Sequence, residues 1–531
     1  WKAMHMKAYH GNILTVDSND SVASWLVEDA GRIAYVGNER PSGIDRSDVV
    51  ELGNRALVPS FADTHEHLAS FATFNAGLNV MHATSNAEIC QMVEDFHASC
   101  HDKILIAFGA SPYSVVEGHL VTRAELDEAC PDKPACVIKY DGHACVVNTK
   151  MLDLVRKDIE GQRGYHPETG EMNQEAFFKV SDAITNSIPI PGLIRNVQRA
   201  MDYLAACGIG MVHTVSGVGF PGDMDISLET WLARSAESGF QIRVFPQSLD
   251  IASAQKRGLP RIGGCFACAL DGCFGSTDAA LNAPYEPGSA DGLEHESGVL
   301  YYPDEKVAEF CRAANRAGLQ IELHAIGDAA FDQATRCIKA ALDDYPRDDH
   351  RHGIIHACLP TDKGIAICAQ YGIQLPMQTS FIDWPQEPDA YLEQILGARA
   401  ERLNPLRTLF DAGIVMSAGS DAPCTDPNPI LWMQRACNHS VESQSLTVQE
   451  ALRMCTYNGY WTTFDEDERG SLEVDKVADM CILSENPYDI DVSRLGEVKV
   501  EQLLLGGKPY EKQRAGFIGA VLKGMVSKRK A

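Results

Sequence analysis

The chain has 531 residues, of which 45% are hydrophobic and 22% charged, so it is long enough for several domains and has the composition of a globular protein. Its 46 Lys and Arg against 73 Asp and Glu give a net charge of −27, which repels phosphate backbones and anionic lipid, so neither nucleic acid nor membrane is an expected partner. No stretch approaches the roughly 18 apolar residues of a membrane span. The 17 cysteines lack a repeating framework, which predicts a cytoplasmic protein in a reducing compartment.

The two ends of the chain share a pattern of short strands and turns. Apolar runs punctuated by glycine fill residues 1–57, and similar runs bounded by Gly and Pro return over 467–512. We therefore predict one discontinuous β-sandwich domain built from 1–57 and 467–512. The tail over 513–531 is basic and weakly amphipathic, and we expect a helix that packs on the domain or on a partner subunit. A homodimer is one expected assembly.

The middle of the chain, 58–466, alternates strand-like apolar runs with helical patterns. This alternation suits an α/β fold of the TIM type, a (β/α)8 barrel, better than an open sheet. Helix starts are marked by Ser or Thr with Glu three residues later, at Ser85, Thr122 and Thr447. The candidate barrel strands are ALVPSFADTH, KILIAFG, ACVIKYDG, GIGMVHTVS, QIRVFPQS, LQIELHAIG, GIIHA, GIQLPMQ and GIVMSAGSD.

Residues around 70–205 hold more chain than one strand-to-helix connection needs. We predict that this insertion forms a lid over the barrel mouth, where it would shape a pocket and exclude water. Three aromatic residues, Tyr113, Trp384 and Tyr391, are candidates for the pocket wall, and a subunit contact is the alternative place for them.

Two histidines end the first candidate barrel strand, in the run Asp63-Thr64-His65-Glu66-His67. Side chains alternate along a strand, so His65 and His67 should share one face while Glu66 points away. Neutral imidazole is the commonest protein ligand for zinc and related ions. Taken alone, the motif could equally be two histidines near a surface loop.

Three further residues of the ligand type end other candidate strands: His324 in LQIELHAIG, His356 in GIIHA and Asp421 in GIVMSAGSD. In a barrel of parallel strands, the carboxyl ends of the strands meet at one face, which is where active sites lie. Each residue alone would be read as structural. Their common placement predicts a metal site at the barrel mouth.

With these residues the chain resembles the amidohydrolase superfamily, in particular its amidohydrolase family 3 branch, which includes N-substituted formamide deformylase. The resemblance covers nearly the whole chain. It is carried, in order, by LVPSFADTHEHL, DGHACVVNTK, LDGCFGSTDAAL, LHAIGDAAFD, RHGIIHACLP, AGSDAPCTDPNP and SLEVDKVADMCIL.

The resemblance implies a ligand set and a mechanism. His65 and His67 correspond to the first-strand ligands, and His324 and His356 to those of the fifth and sixth strands. Asp421 corresponds to the last-strand carboxylate, which ligates the metal and acts as general base. His356 would hold a second metal or stabilise the oxyanion that develops on the substrate. The implied cofactor is zinc or another divalent transition metal, with one or two ions per chain.

Two other residues are implied to bind substrate. His143 lies in DGHACVVN and Asp271 in LDGC, and in the family these elements line the substrate cavity. An imidazole there could donate a hydrogen bond to the substrate carbonyl. Without the resemblance, His143 would be read as a loop histidine.

One segment departs from the family's pattern. Members with two metals usually carry a carboxylated lysine shortly before the Asp-Gly of LDGCFGSTDAAL, and here Ala267 takes that place. A thiolate from Cys268 or Cys265 could replace the lysine, since thiolate is a good zinc ligand, although both could simply be buried strand cysteines. The other alternative is a single metal, bound by His65, His67, His324 and Asp421.

The function that the resemblance implies is metal-dependent hydrolysis of a non-peptide C–N bond in a small molecule: an amide, an N-formyl or N-acyl amine, or a cyclic amide. Hydrolytic deamination of an aminated heterocycle uses the same ligand types and is the nearest alternative. A second alternative is a protein that is not an enzyme: a regulatory or ligand-binding relative that has lost catalytic activity. The absent lysine favours this alternative.

Overall fold

The computed structural model describes residues 6–217, 220–235, 239–288, 296–512 and 517–531. The strands, in chain order, are β1 (Lys7–Leu14), β2 (Val22–Asp29), β3 (Arg32–Gly37), β4 (Val49–Pro59), β5 (Phe61–Glu66), β6 (Leu78–Asn79), β7 (Leu105–Ala110), β8 (Ala135–Lys139), β9 (Ala144–Val147), β10 (Tyr165–His166), β11 (Glu171–Asn173), β12 (Ile209–Ser216), β13 (Gln241–Pro246), β14 (Arg261–Ala269), β15 (Gln320–Ala325), β16 (Gly353–His356), β17 (Leu375–Met377), β18 (Met416–Ala418), β19 (Met480–Leu483), β20 (Val500–Leu505) and β21 (Lys508–Pro509).

The α-helices, in chain order, are α1 (Leu68–Asn75), α2 (Asn86–His97), α3 (Arg123–Ala129), α4 (Thr149–Ile159), α5 (Gln174–Ser187), α6 (Ile190–Ala206), α7 (Met224–Ser235), α8 (Ile251–Lys256), α9 (Asp304–Arg316), α10 (Asp328–Asp344), α11 (Asp362–Tyr371), α12 (Asp389–Leu396), α13 (Leu406–Asp411), α14 (Pro429–Cys437), α15 (Val448–Cys455), α16 (Tyr457–Thr462) and α17 (Phe517–Val526).

Strands from both ends of the chain form one sheet. Its order is β21-β20-β19-β4-β1-β2-β3, so β19 to β21 from the end of the chain pair beside β4 from its beginning. β1 runs parallel to β4, and the other pairs are antiparallel. The sheet is continuous in its hydrogen bonds, with apolar clusters on both faces: Tyr9 and Leu26 belong to one, Ala8 and Val27 to the other. The domain boundaries drawn from the sequence stay a prediction.

Eight parallel strands alternate with most of the helices. Hydrogen bonds join β5, β12 and β13 in one group, β14, β15 and β16 in a second, and β17 with β18 in a third. The groups adjoin, because β13 contacts β14, β16 contacts β17 and β18 contacts β5. The eight strands therefore follow one another in a cyclic order, and their carboxyl ends lie at the same face.

The alternation of side chains along these strands separates core from site. On β15, Ile321, Leu323 and Ala325 belong to the main apolar core. The residues between them, Glu322 and His324, point to the opposite face, as the two-residue period of a strand requires. Polar groups thus line the interior of the strand cycle.

The long insertion carries its own sheet between β5 and β12. Its six strands have the order β10-β11-β9-β8-β7-β6, with helices α2 to α5 packed on them. Two candidate barrel strands, KILIAFG and ACVIKYDG, are β7 and β8 of this sheet, so their assignment to the barrel was wrong. β14, which was not among the candidates, belongs to the parallel set instead. A short apolar run looks the same in any buried strand, so its pattern does not say which sheet it joins.

The predicted helix starts are confirmed at Ser85, Thr122 and Thr447. The side chain of each accepts a hydrogen bond from the backbone N–H three residues later, and the last two form complete capping boxes. In the predicted tail, α17 packs against α7, while 513–516 lie outside the described residues. Among the residues that the structure describes, the helices are too short or too polar to cross a membrane.

Candidate metal centre

The five predicted ligand residues come together at the carboxyl ends of the parallel strands. His65 and His67 end β5, and Asp421 lies three residues beyond β18. Oδ1 of Asp421 is 3.1 Å from Nε2 of His65 and 3.3 Å from Nε2 of His67. These three side chains form the first half of the site, which we call the Asp421 group.

The second half is the pair His324 and His356, from β15 and β16. The two rings meet edge to face with centroids 4.6 Å apart. His356 meets the ring of His65 in the same manner at 5.2 Å, which joins the pair to the Asp421 group. The sequence reasoning thus gathered side chains that the fold places within one small volume.

Backbone hydrogen bonds lock the Asp421 loop to the end of β5. The amide of Asp421 donates to the carbonyl of His65 at 2.8 Å, and the amide of His67 donates to the carbonyl of Ala422 at 2.9 Å. Asp421 itself has a φ of 55°, a left-handed conformation that costs energy for a residue with a side chain. The two bonds hold this strained backbone where its carboxylate faces the histidines.

A buried carboxylate and a glycine complete this junction. Oδ1 of Asp63 accepts a hydrogen bond from the amide of Ser420 at 2.9 Å, just before the Asp421 loop. Gly419 lies so close to β5 that a Cβ there would be 2.6 Å from the backbone nitrogen of His65. Only glycine lets the two strand ends approach this closely.

The electrostatics of the site suit ligands in their metal-binding forms. Burial alone would raise the pKa of Asp421, but the imidazoles of His65 and His67 beside it hold that pKa well below its ordinary value. Burial lowers the pKa of His65. Burial, with His324 nearby, lowers the pKa of His356 well below its ordinary value. The site thus favours an ionised Asp421 and neutral imidazoles at His65 and His356, the forms that bind a metal.

Gln378 was not among the predicted site residues. It follows β17 directly, and its Oε1 lies 2.6 Å from Nδ1 of His356. An amide oxygen only accepts, so Nδ1 carries the proton and Nε2 presents its lone pair to the site. Its position at the end of the candidate strand GIQLPMQ could have identified it, because the histidines were found by the same position.

Asp271 lies beneath His324. Its carboxylate is buried and accepts hydrogen bonds from the amides of Ala280, Ile326 and Gly327 at 2.9, 3.0 and 2.8 Å. Its Oδ1 is also 3.4 Å from Nδ1 of His324. These contacts fix the end of β15 and orient the imidazole. A further role of Asp271 in substrate binding stays a prediction.

The two candidate cysteines of β14 lie in different surroundings. Sγ of Cys265 is 3.3 Å from Nε2 of His65 and 3.9 Å from Nε2 of His356. The thiol of Cys268 instead donates to the backbone carbonyl of Ser248 at 3.4 Å. The structure therefore brings Cys265 to the histidines, and it leaves Cys268, our first choice for a thiolate ligand, bonded to the backbone elsewhere.

Aromatic side chains surround the histidines. Phe266 meets the ring of His67 edge to face at 5.6 Å, and the exposed His143 lies 6.3 Å from Phe266. On another side Phe381 stacks on His356 at 5.9 Å, and Trp384 stacks on Phe381 at 4.9 Å. Trp384, one of the predicted wall residues, thus lies one ring away from the site. His143, which was predicted to bind substrate, is separated from His67 by the ring of Phe266.

The other two predicted wall residues form a pair of their own. The rings of Tyr113 and Tyr391 stack at 4.0 Å. The hydroxyl of Tyr113 donates to the carbonyl of Gly275 and that of Tyr391 to the carbonyl of Phe274. Both bonds reach the segment after β14, so this pair ties the insertion and α12 to the loop that follows the site strand.

The donor atoms fit a divalent transition metal. The ligand atoms of the Asp421 group lie within 4.8 Å of one another, and so do those of His65, Cys265 and His356. Oδ1 of Asp421 is buried and receives no hydrogen bond from the residues that the structure describes, although two imidazole nitrogens lie beside it. A cation held between the carboxylate and the imidazoles would satisfy these atoms, and imidazole with carboxylate suits zinc and its neighbours.

Comparison with known proteins agrees with this geometry. The model of the amidohydrolase family matches residues 48–510. N-substituted formamide deformylase of Arthrobacter pascens is 24% identical over 563 residues, which cover 94% of this chain and 96% of that protein. The Arabidopsis thaliana protein LONG AFTER FAR-RED 3 is 26% identical over 535 residues, covering 94% and 90%.

A solved structure shows the same fold. The crystal structure of an uncharacterized metal-dependent hydrolase from Pyrococcus furiosus superposes with a TM-score of 0.71 at 23% identity, covering 91% of this chain and 100% of that one. Since the family model spans most of the sequence, the chain belongs to the amidohydrolase family, and the resemblance found in its motifs is confirmed.

Proposed function

We propose that this amidohydrolase cleaves a non-peptide C–N bond of a small molecule: an amide, an N-formyl or N-acyl amine, or a cyclic amide. The observation that carries the proposal is the convergence of Asp421 with His65 and His67 at the strand ends, where the pKa of the Asp421 carboxyl is held well below its ordinary value. A relative that is named a deformylase of N-substituted formamides supports this class of bond. The aromatic rings of Phe266, Phe381 and Trp384 favour a substrate with an apolar or aromatic substituent.

The fold proposed with this function is the (β/α)8 barrel. The cyclic order of the eight parallel strands supports it. The insertion with its own sheet would then cover the barrel mouth as a lid. Cytoplasmic location, a homodimer and the absence of a nucleic-acid partner stay predictions.

The residues have separable roles in the proposed reaction. His65, His67 and Asp421 would hold a divalent ion, with His324 and His356 beside them. A bound divalent ion makes water more acidic and polarises a carbonyl. Asp421 accepts the proton of the attacking water at its carboxylate and delivers it to the leaving nitrogen. For His356 we favour the ligand role over oxyanion stabilisation, because Nε2 carries no proton to donate while Nδ1–H is bonded to Gln378.

The test is turnover of a panel of N-formyl amines, N-acyl amines and cyclic amides by the purified protein, with release of the carboxylate and of the amine both measured. We expect Asp421→Asn to lower kcat by about 100-fold to 10,000-fold, the usual contribution of a general base. The matched control is Asp362→Asn, whose carboxylate is 91% exposed at the start of α11 and should leave kcat unchanged.

Elemental analysis of the same preparations accompanies the kinetics. Ammonia from aminated heterocycles without any amide turnover would replace the proposal by the deaminase alternative. A protein that holds no metal after titration with zinc and turns over no member of either panel would support a regulatory or ligand-binding relative. An unchanged rate in Asp421→Asn would reject the general-base assignment alone.

A further inference from the structure

Cys265 lies between the two halves of the site. Its thiol is 3.3 Å from Nε2 of His65, a member of the Asp421 group, and 3.9 Å from Nε2 of His356, a member of the second pair. Only 7% of the residue is exposed. A single sulfur atom is thus in reach of both halves.

The backbone of β14 is shaped to place this thiol. The pairing with β15 loses its regular register between Gly264 and Ala269, and Phe266 has a φ of 48°. The amide of Cys265 donates to the side-chain oxygen of Gln247 at 3.1 Å, which fixes its position. A bulge of this kind re-aims a side chain and is common next to active sites.

Each of the two distances fits a sulfur and a nitrogen that bind the same ion, with the sulfur shared between the halves. With zinc–sulfur near 2.3 Å, zinc–nitrogen near 2.0 Å and a tetrahedral angle, sulfur and nitrogen ligands lie about 3.5 Å apart. The observed separations of Cys265 from His65 and His356 bracket this value. A second observation is independent of the thiol: Oδ1 of Asp421 is buried and receives no hydrogen bond from the described part of the chain.

We propose that the thiolate of Cys265 is a metal ligand that bridges the two halves of the site, where related enzymes with two metals use a carboxylated lysine. The inference rests on the metal centre of the proposed function and specifies its composition: two ions per chain joined by sulfur. When the metal–sulfur bond forms, the S–H bond breaks and its proton leaves to solvent.

A bridging thiolate changes which metal the site selects. Thiolate is a soft ligand that binds zinc, cobalt and cadmium strongly, whereas magnesium and manganese prefer oxygen. A site bridged by an oxygen ligand would discriminate less strongly between these two groups of metals. We therefore expect zinc to be retained in competition with an excess of magnesium or manganese.

The experiment uses Co²⁺, because sulfur bonded to cobalt gives an intense charge-transfer absorption in the near ultraviolet. The full-length apoprotein is titrated with Co²⁺ as wild type, as Cys265→Ala and as Cys268→Ala. Cys268 is the matched control, because it is also buried on β14 but its thiol bonds to Ser248. We expect the band in wild type and in Cys268→Ala, and its loss in Cys265→Ala together with a fall from two bound ions to one.

The outcomes separate this inference from the proposed function. Two bound cobalt ions without a sulfur band in wild type would overturn the bridge and leave the hydrolase proposal intact. No cobalt binding at all would count against both. Absence of the band in wild type overturns the bridge even if Cys265→Ala does not fold, and retention of the band in a folded Cys265→Ala would also overturn the proposal.

Discussion

The ion pair between Arg243 and Asp465 allows a stability prediction that does not depend on the metal centre. Arg243 lies in β13, and its Nε and Nη2 donate to the two carboxylate oxygens of Asp465 at 2.9 and 2.8 Å. The two side chains are 2% and 4% exposed. The pair joins β13 to the segment after α16.

The contacts of the two side chains determine how much each single substitution destabilises the protein and which of the two costs more. Removing one partner of a buried pair costs about 3–5 kcal/mol, because the other charge is left uncompensated. Without Asp465, Arg243 keeps neutral acceptors, the carbonyl of Ile242 and Oε1 of Gln241, but its charge has no counter-ion. It then lies beside a second buried guanidinium, that of Arg261, whose pKa burial and then Arg243 lower to about 9. Without Arg243, Asp465 keeps Thr463 Oγ1 at 2.9 Å and Lys530 Nζ at 3.5 Å. Asp465→Asn should therefore cost about 5 kcal/mol and Arg243→Met about 3 kcal/mol.

The assay is denaturant unfolding of the metal-free protein, followed by circular dichroism, so that metal binding adds nothing to the measured stability. The double variant Arg243→Met with Asp465→Leu should recover most of the loss, since an apolar pair leaves no buried charge. Burial alone would raise the pKa of Asp465, but Arg243 lowers it, so the contribution is present above the ordinary aspartate value and is lost as pH falls. A cost below about 1 kcal/mol for Asp465→Asn, or the reverse order of the single variants, would refute this reasoning.

Three further predictions concern single positions. Burial raises the pKa of Glu229 from its ordinary 4.5 to about 8, so the folded protein loses stability as pH rises between these values, and Glu229→Gln should flatten that decline in denaturant titrations at pH 5 and pH 8. Gln378→Leu should weaken zinc affinity about 10-fold to 100-fold, because His356 loses the hydrogen bond that orients its ring. Gln378→Glu keeps an acceptor and should bind zinc as wild type does. Equal zinc affinities of wild type and Gln378→Leu would exclude the positioning role. Gly419→Ala should cost about 1–3 kcal/mol and reduce bound metal, because its Cβ meets the backbone of His65; an unchanged metal content would contradict this.

The composition of the candidate site could be predicted because it follows from a regular feature of the fold. Ligand-type residues at strand ends were found as His65, His67, His324, His356 and Asp421, and the cyclic order of parallel strands brings those ends together. The prediction needed only the alternation of strands and the direction in which parallel strands point. Gln378 obeys the same rule and was missed because an amide is not a typical metal ligand.

The organisation of the insertion could not be predicted in this way. KILIAFG and ACVIKYDG are as apolar as the strands of the parallel set, yet they pair with each other in the separate six-stranded sheet. The choice between sheets depends on contacts between distant residues, which the local pattern does not contain. β14 was not among the candidate strands because two glycines interrupt its run RIGGCFACA, and glycines inside a run mark an irregular strand.

Cys265 and Cys268 lie on opposite faces of this irregular strand. Both thiols lie on β14, and the family's motif placed the expected lysine between them, at Ala267. In a regular strand a residue's face follows from counting, but the register of β14 breaks before Ala269 and Phe266 adopts a left-handed backbone. The pairing passes from Gly264 with Leu323 to Ala269 with His324, so β14 holds four extra residues here. Cys268 packs in the main apolar core with Ile262, whereas Cys265 contacts the histidines. Because only Cys265 of the two contacts the histidines, a cobalt–sulfur band that depends on Cys265 and not on Cys268 is the specific signature of this site.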